Sequence, residues 1–293
     1  MQTVYELVRD AEKSDLNGVT TFSKYVSMSQ RENIEKTEAY LNSKHLSGDT
    51  DYMGREKPFF NIVLAARNIW FRATDIDRKN IIFRHRNPLL ALIASVKLQE
   101  WMKEQRFGVF LNDWGITLAS HGSSVCKFIQ GKELSAQVMD WNNFICDPID
   151  FDNNAKIEKL YYTPAQLRRQ KGYDKEMVKK LLESRTTRKT ADGQHKDQKD
   201  DYILVYEVHG ELPLSYLSDE DKDDDTYVQQ MHVLSFQEKS EKEFEEFSLY
   251  RGREANDPYM ITHLLKKDGQ TYTGGAVMNL FEAQWMVNHS QKQ

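Results

Sequence analysis

Cysteine is scarce in this chain: only Cys126 and Cys146 occur among its 293 residues. Two cysteines cannot build the disulfide framework of a small secreted protein, so the sequence indicates a reducing, intracellular compartment. The expected role of both residues is that of small buried hydrophobic side chains.

Long apolar runs are also missing. A membrane-spanning helix needs about 18 consecutive apolar residues. The best candidate, "FFNIVLAARNIW" at 59–70, is interrupted by Asn61, Arg67 and Asn68. The first ten residues carry charges and have no apolar core of the signal-peptide kind. We therefore expect no membrane association.

A positive net charge and the common catalytic signatures are absent as well. The formal charge of −5 does not indicate a nucleic-acid binder of the basic-patch kind, although it allows a protein that merely lets DNA pass. The chain has no P-loop, no dinucleotide-binding glycine pattern and no paired histidine spacing. "ASHGSSVC" places His121 beside Ser123 without a nucleophile-elbow frame, so a helix end with a glycine stop at Gly122 is favoured. The sequence predicts neither a cofactor nor a catalytic residue.

The order of the remaining patterns, helices first and strands later, predicts the α+β class. N-terminal helices precede a mostly antiparallel, β-rich region with one inserted helix, and the chain ends in an incomplete helix. Four segments describe this order: a partly flexible arm (1–57), a helical region (58–122), a β-rich region (123–275) and the start of a truncated helix (276–293).

Local signals place several helix boundaries. Ser29 followed by Glu32 predicts a capping box. Pro88 suits the first turn of a helix, and Thr163 before Pro164 predicts the start of the inserted helix near 163–184.

Charge divides the β-rich region. Residues 151–200 carry 13 basic and 8 acidic residues, whereas residues 201–250 carry 3 basic and 14 acidic ones. The polar stretches 185–201 and 218–225 are predicted to be flexible loops, because they contain too few apolar residues to offset the entropy of ordering. The basic residues before the first loop and the acidic ones after it could form complementary faces.

Three aspartates stand close together in "DWNNFICDPIDFDNNA" at 140–155. Asp147, Asp150 and Asp152 could hold a divalent cation in a metal-dependent nuclease or phosphoesterase. The stretch fails the calcium-loop pattern, since the central glycine is missing and Pro148 and Phe151 occupy the wrong places. A strand-to-turn corner is the favoured interpretation.

Four stretches, taken in order, carry a family resemblance. They are "KPFFNIVLAARNIWFRATDID" at 57–77, "FLNDWGITLASHGSSVCKF" at 110–128, "DWNNFICDPIDFDNNAKIEKLYYTPAQLRR" at 140–169, and "GGAVMNLFEAQWMVNH" at 274–289. The series resembles the portal protein, or head-tail connector, of tailed bacteriophages. The motifs are a "G-S-x-V-x-K" junction, an "F-x-x-D-P" corner with Asp147 and Pro148, and a "Q-x-x-x-N" pair, here Gln284 and Asn288. The "T-x-x-E-L" helix of that family reads "TPAQL" here.

This resemblance implies a structural protein of the virion, assembled in the host cytoplasm, that makes or breaks no bond. Such subunits form a ring, typically a dodecamer, at one vertex of the capsid. Double-stranded DNA passes through the ring without sequence-specific contacts during genome packaging and ejection. The implied partners are further copies of the chain, the terminase large subunit, capsid and scaffolding proteins and a head-tail adaptor. Portal proteins are usually longer, so this chain would be an N-terminal wing portion.

In a ring, one face of a subunit meets a different face of its neighbour. The exposed cations predicted for the inserted helix, Arg168, Lys175, Lys179 and Lys180, are therefore candidates for contacts between subunits. The metal-dependent enzyme and an unrelated soluble interaction module remain the alternatives to a portal subunit.

Overall fold

The computed structural model describes residues 3–17, 20–23, 26–73, 76–130, 134–191, 202–217, 225–240 and 243–290. The helices, in chain order, are α1 (Val4–Asn17), α2 (Gln30–Leu41), α3 (Ile62–Ala73), α4 (Pro88–Glu104), α5 (Phe107–His121), α6 (Pro164–Arg169), α7 (Lys175–Ala191), α8 (Ala276–Asn279) and α9 (Phe281–Ser290). The strands are β1 (Thr20–Ser23), β2 (Val26–Met28), β3 (Ser123–Gln130), β4 (Leu134–Val138), β5 (Phe144–Ile145), β6 (Lys156–Tyr162), β7 (Ile203–Pro213), β8 (Tyr227–Ser240), β9 (Glu243–Arg253) and β10 (Tyr259–His263). Helices combined with antiparallel sheets confirm the predicted α+β class.

The chain forms two compact units, each built from two separate stretches of sequence. The sheet unit comprises Met1–Gly18 and Asn143–Asp257, and the helix unit comprises Val19–Asn142 and Pro258–Gln293. No helix of the described residues is long and apolar enough to cross a membrane.

The sheet unit is a five-stranded antiparallel sheet, in the order β5-β6-β7-β8-β9, with helices on both faces. Successive side chains of a strand point to opposite faces. In β7, Val205 packs with Val178 and Leu181 of α7. Its neighbour Tyr206 packs with Val8 of α1 on the other face. Both faces are covered around the first four residues of β7, and this stretch, "ILVY" at 203–206, is continuously apolar.

The helix unit contains the remaining described helices, a three-stranded sheet in the order β10-β3-β4 and the hairpin β1-β2. Its main apolar cluster joins Tyr40 of α2, Val63 of α3, Val277 of α8 and Phe281 of α9. Both cysteines of the chain, Cys126 and Cys146, are buried thiols, as expected for small hydrophobic side chains.

The predicted helix boundaries at these residues are confirmed. The Ser29 side chain accepts a hydrogen bond from the Glu32 amide at the start of α2, which is one half of the predicted capping box. Pro88 is the first residue of α4, and Gly122 ends α5 in the left-handed conformation. Thr163 caps α6 through a complete capping box with Gln166.

The inserted helix differs from the prediction in two ways. The expected helix at 163–184 is two helices, because the chain turns between α6 and α7 with Gly172 at φ +94°. Helix α7 also continues to Ala191, so residues 185–191 are helical rather than a loop. No glycine or proline interrupts α7 before that point, and extending an existing helix costs little. The rest of the expected loops, 192–201 and 218–224, lies outside the described residues.

Candidate functional site

The aspartate corner of the sheet unit is a hydrogen-bonded turn. The Asp147 side chain accepts from the amides of Ile149 and Asp150, at 2.8 and 2.9 Å. Pro148 is the first residue inside this turn. Asp150 in turn accepts from both the amide and the side chain of Asn153. The side-chain hydrogen bond from Asn153 is the main reason that the pKa of Asp150 lies below its usual value. The carboxylates of Asp147 and Asp150 thus fix the backbone of this turn.

Lys156 closes this corner from the first position of β6. Its ammonium group donates to the carbonyls of Asp152 and Asn154 and pairs with the Asp257 carboxylate. It also lies 4.8 Å from the centre of the Phe151 ring. Among the described residues, no group of three His, Cys, Asp or Glu side chains is arranged to hold a metal ion.

Several buried polar side chains of the helix unit meet at the helix–strand junction around Gly122. His121 Nδ1 lies 3.1 Å from the Tyr272 hydroxyl, and His121 Nε2 lies 3.1 Å from Glu38 Oε1. Thr37 extends the chain of contacts, 3.2 Å from the same tyrosine hydroxyl. The hydrogen bond with His121 lowers the pKa of Glu38. These contacts join α2, α5 and the segment before α8.

On the other side of Gly122, Ser123 closes the same junction. Its hydroxyl accepts from the Thr273 amide at 3.0 Å and lies 3.0 Å from His263 Nδ1. Ser123 is fully buried. A Cβ atom on Gly122 would lie only 2.0 Å from the carbonyl oxygen of Gly274. The glycine therefore allows two chain segments to touch.

Gln284 and Asn288, the pair predicted from the "Q-x-x-x-N" motif, tie α9 to the start of α3. Gln284 Oε1 accepts from the amides of Ile62 and Val63 at 3.0 and 3.3 Å. Gln284 Nε2 donates to the carbonyl of Phe60 and to Asn288 Oδ1. The first amides of a helix have no partner within the helix. Gln284, which is fully buried, supplies that partner from a distant part of the chain.

A buried ionic cluster in the sheet unit was not predicted. His209 Nε2 lies 2.6 Å from Glu207 Oε1, and His209 Nδ1 lies 2.7 Å from Glu254 Oε2. Burial by itself would lower the pKa of His209, but the two glutamates outweigh it and raise that pKa above its usual value. The alternation in "EVHGE" places Glu207 and His209 on one face of β7, and this was the available sequence signal.

Three of the four basic residues predicted at a subunit contact lie around one groove. Arg168, Lys175 and Lys179 line a cavity of about 320 Å³ between α6 and α7. Its floor is formed by Leu167, Val178 and Leu182, which belong to the core on this face of the sheet. We call this cavity the basic groove. Lys180 lies on α7 and is exposed, but it does not line the groove.

The largest group of exposed apolar side chains in the helix unit lies on α4 and the segment before it. That segment is attached to α4, because the Ser95 hydroxyl bonds both the amide and the carbonyl of Phe83. Met102 is the buried residue of α4. The following side chains are about half or more exposed: Ile82, Phe83, Leu89, Leu90, Leu92, Ile93 and Val96. We call these seven residues the α4 surface. Exposed apolar side chains in such number make the α4 surface a candidate interaction site.

Comparison with protein-family models gives no match, and comparison with curated protein sequences gives none either.

Proposed function

We propose that this chain is a portal-type subunit of a tailed bacteriophage. It associates with copies of itself into a ring at one vertex of the capsid, and double-stranded DNA passes through that ring. The terminase motor, capsid and scaffolding proteins and a head-tail adaptor dock on the assembled ring. The subunit contributes shape and contacts rather than a chemical reaction.

The α4 surface is the observation that carries the self-association. Seven large apolar side chains on one helix and its attached segment are exposed in a chain with 29% charged residues. Their burial against a neighbour would release about 25 cal/mol for each Å² removed from water. A cyclic ring supplies such a neighbour to every subunit without leaving free edges.

The ordered motifs support the portal family in particular. The "G-S-x-V-x-K" stretch lies at the α5–β3 junction, the "D-P" pair forms the Asp147 turn, and Gln284 caps α3. Each motif lies at a junction between elements, where its side chains fix the conformation of the backbone. The net charge of −5 also suits a ring that holds DNA weakly, because many cations along the channel would bind phosphates tightly.

A pair of matched substitutions tests the proposal. Leu92 and Leu265 are exposed to a similar degree, 62% and 66%, but only Leu92 belongs to the α4 surface. We expect Leu92→Glu to weaken self-association by about 10-fold or more, because a carboxylate would be buried in an apolar contact. Leu265→Glu is expected to assemble like the wild type. Light scattering after size-exclusion chromatography measures both masses.

Equal assembly of the two variants would reject the α4 surface as the contact. A wild-type chain that forms only a dimer would favour an interaction module of another kind.

A further inference from the structure

The basic groove of the sheet unit combines charge with an apolar floor. Arg168, Lys175 and Lys179 line it together with one acidic side chain, Glu183. The ammonium group of Lys179 lies 3.7 Å from that carboxylate, and both side chains are mostly exposed. Three cations against one anion leave an excess of positive charge around buried leucine and valine side chains. A groove of this kind suits a peptide segment that carries both carboxylates and apolar side chains.

The chain itself contains such a segment. Residues 218–225, "SDEDKDDD", hold six acidic residues and one lysine. Apolar residues flank them: Tyr216 and Leu217 come before, and Tyr227, which is 58% exposed, comes after. No other stretch of the sequence has so many acidic residues so close together. Charge complementarity therefore favours this segment as the occupant of the groove.

The groove and the strand end that leads to the acidic segment lie at different ends of β7. Helices α6 and α7 pack over the start of β7, at Ile203 and Val205. The acidic segment follows the other end of β7, at Pro213. Eight residues of strand separate Val205 from Pro213, which is about 26 Å. The proposed ring brings a second copy, with its own acidic segment, beside every groove.

We infer that the basic groove binds the acidic segment 218–225 of a neighbouring copy of the chain. The contact is heterologous, since a groove on one subunit meets a loop on the next, and heterologous contacts are the kind that build rings. This inference rests on the proposed function, because it takes the neighbour to be a second copy. Individual exposed ion pairs are weak. Several ion pairs around an apolar floor together determine the orientation in which two subunits bind.

A labelled peptide tests the groove without requiring a ring. The peptide spans residues 214–228, and its binding to the full chain is followed by fluorescence anisotropy at low and high salt. We expect saturable binding that weakens as salt rises, because exposed charges are screened. The double variant Lys175→Glu, Lys179→Glu is expected to bind the peptide about 10-fold more weakly or worse. The control is Lys171→Glu, Lys180→Glu, which changes the net charge equally at exposed residues outside the groove.

Three results would overturn the inference. The first is an absence of saturable binding at low salt, and the second is an equal loss of binding in the two double variants. The third is competition by poly-glutamate of the same length as effective as that by the peptide itself, which would assign the groove to acidic chains in general.

The same experiment separates this inference from the proposed function. If the chain forms rings but does not bind the peptide, the groove inference fails and the proposed function stands. If the peptide binds with the expected variant pattern while the chain stays a monomer, the groove is a site for the acidic segment and ring formation is contradicted.

Discussion

At the scale of single residues, Gly122 shows how backbone geometry limits the choice of side chain. Gly122 and Gly172 both have positive φ, at +72° and +94°. They differ in space, since a Cβ on Gly122 would meet the Gly274 carbonyl, whereas one on Gly172 would meet nothing within 4 Å. Alanine substitutions at the two positions therefore separate the free-energy cost of a left-handed backbone from the additional cost of a steric clash.

We expect Gly172→Ala to lower the free energy of unfolding by about 1 kcal/mol, the cost of a left-handed alanine. Gly122→Ala should cost about 3 kcal/mol or more, because the backbone contact must also open. Chemical denaturation of both variants measures the difference. Equal losses would show that the segment 271–275 does not pack on Gly122 as described.

Two buried histidines on neighbouring strands of the sheet unit should respond oppositely to pH. The glutamates outweigh burial at His209 and raise its pKa, so its contribution to stability is full below pH 6.5 and is lost as the pH rises through the folded pKa. Burial, followed by the charge of Arg251, lowers the pKa of His232 to about 4. Its contribution is present above pH 6.5 and is lost as the pH falls toward 4.

The variants His209→Gln and His232→Gln are compared with the wild type side by side. Denaturation is measured from pH 4.5 to pH 8.5, about four pH units around the ordinary histidine pKa. The difference in the free energy of unfolding between the wild type and His209→Gln should shrink as the pH rises. The difference between the wild type and His232→Gln should shrink on acidification, by up to about 3 kcal/mol. Parallel pH profiles for the two variants would contradict the arrangement around His209.

At this scale, sequence reasoning succeeded where a side chain acts on its own neighbours. Ser29, Gly122 and Thr163 each satisfy backbone groups within a few residues, so their spacing was sufficient. It missed the partner of His209 because Glu254 follows the end of β9, 45 residues away. Only the sheet register brings these two side chains together.

At the scale of elements, Gln284 determines how α3 begins. It is fully buried and occupies two amides and one carbonyl of the chain around Ile62. We expect Gln284→Leu to lower the free energy of unfolding by about 3 kcal/mol, because these buried groups would lose their partner. Glu282→Leu, an exposed change on the same helix, should alter it by less than about 0.5 kcal/mol. Thermal and chemical unfolding would measure both, and similar losses would refute the capping role.

The boundaries of elements were predictable where a residue stops or starts a helix. Pro88 and Gly122 mark such points. The break between α6 and α7 was not predicted, although Gly172 lies in it and Asp174 then caps α7 by accepting from the Glu176 amide. The prediction rested on Thr163 and Pro164, which mark where a helix begins but do not show where it ends.

At the scale of the whole molecule, the division into two units depends on contacts between residues far apart in the sequence, which local sequence patterns do not predict. Helix α1 contributes Val4 and Val8 to the sheet core more than 130 residues ahead of the first strand of that sheet. The apolar α4 surface and the basic groove are the two features of the fold on which the proposed self-association rests. Composition predicted the charge split, but only the fold shows that Arg168, Lys175 and Lys179 line one groove.

Native mass spectrometry of the wild-type chain over a range of micromolar concentrations tests the central claim most directly. A ring subunit predicts one dominant closed species, with a mass that is an integral multiple of 34.4 kDa and a subunit number that does not grow with concentration. A species of 34.4 kDa at every concentration, or a series that lengthens without closing, would contradict the claim.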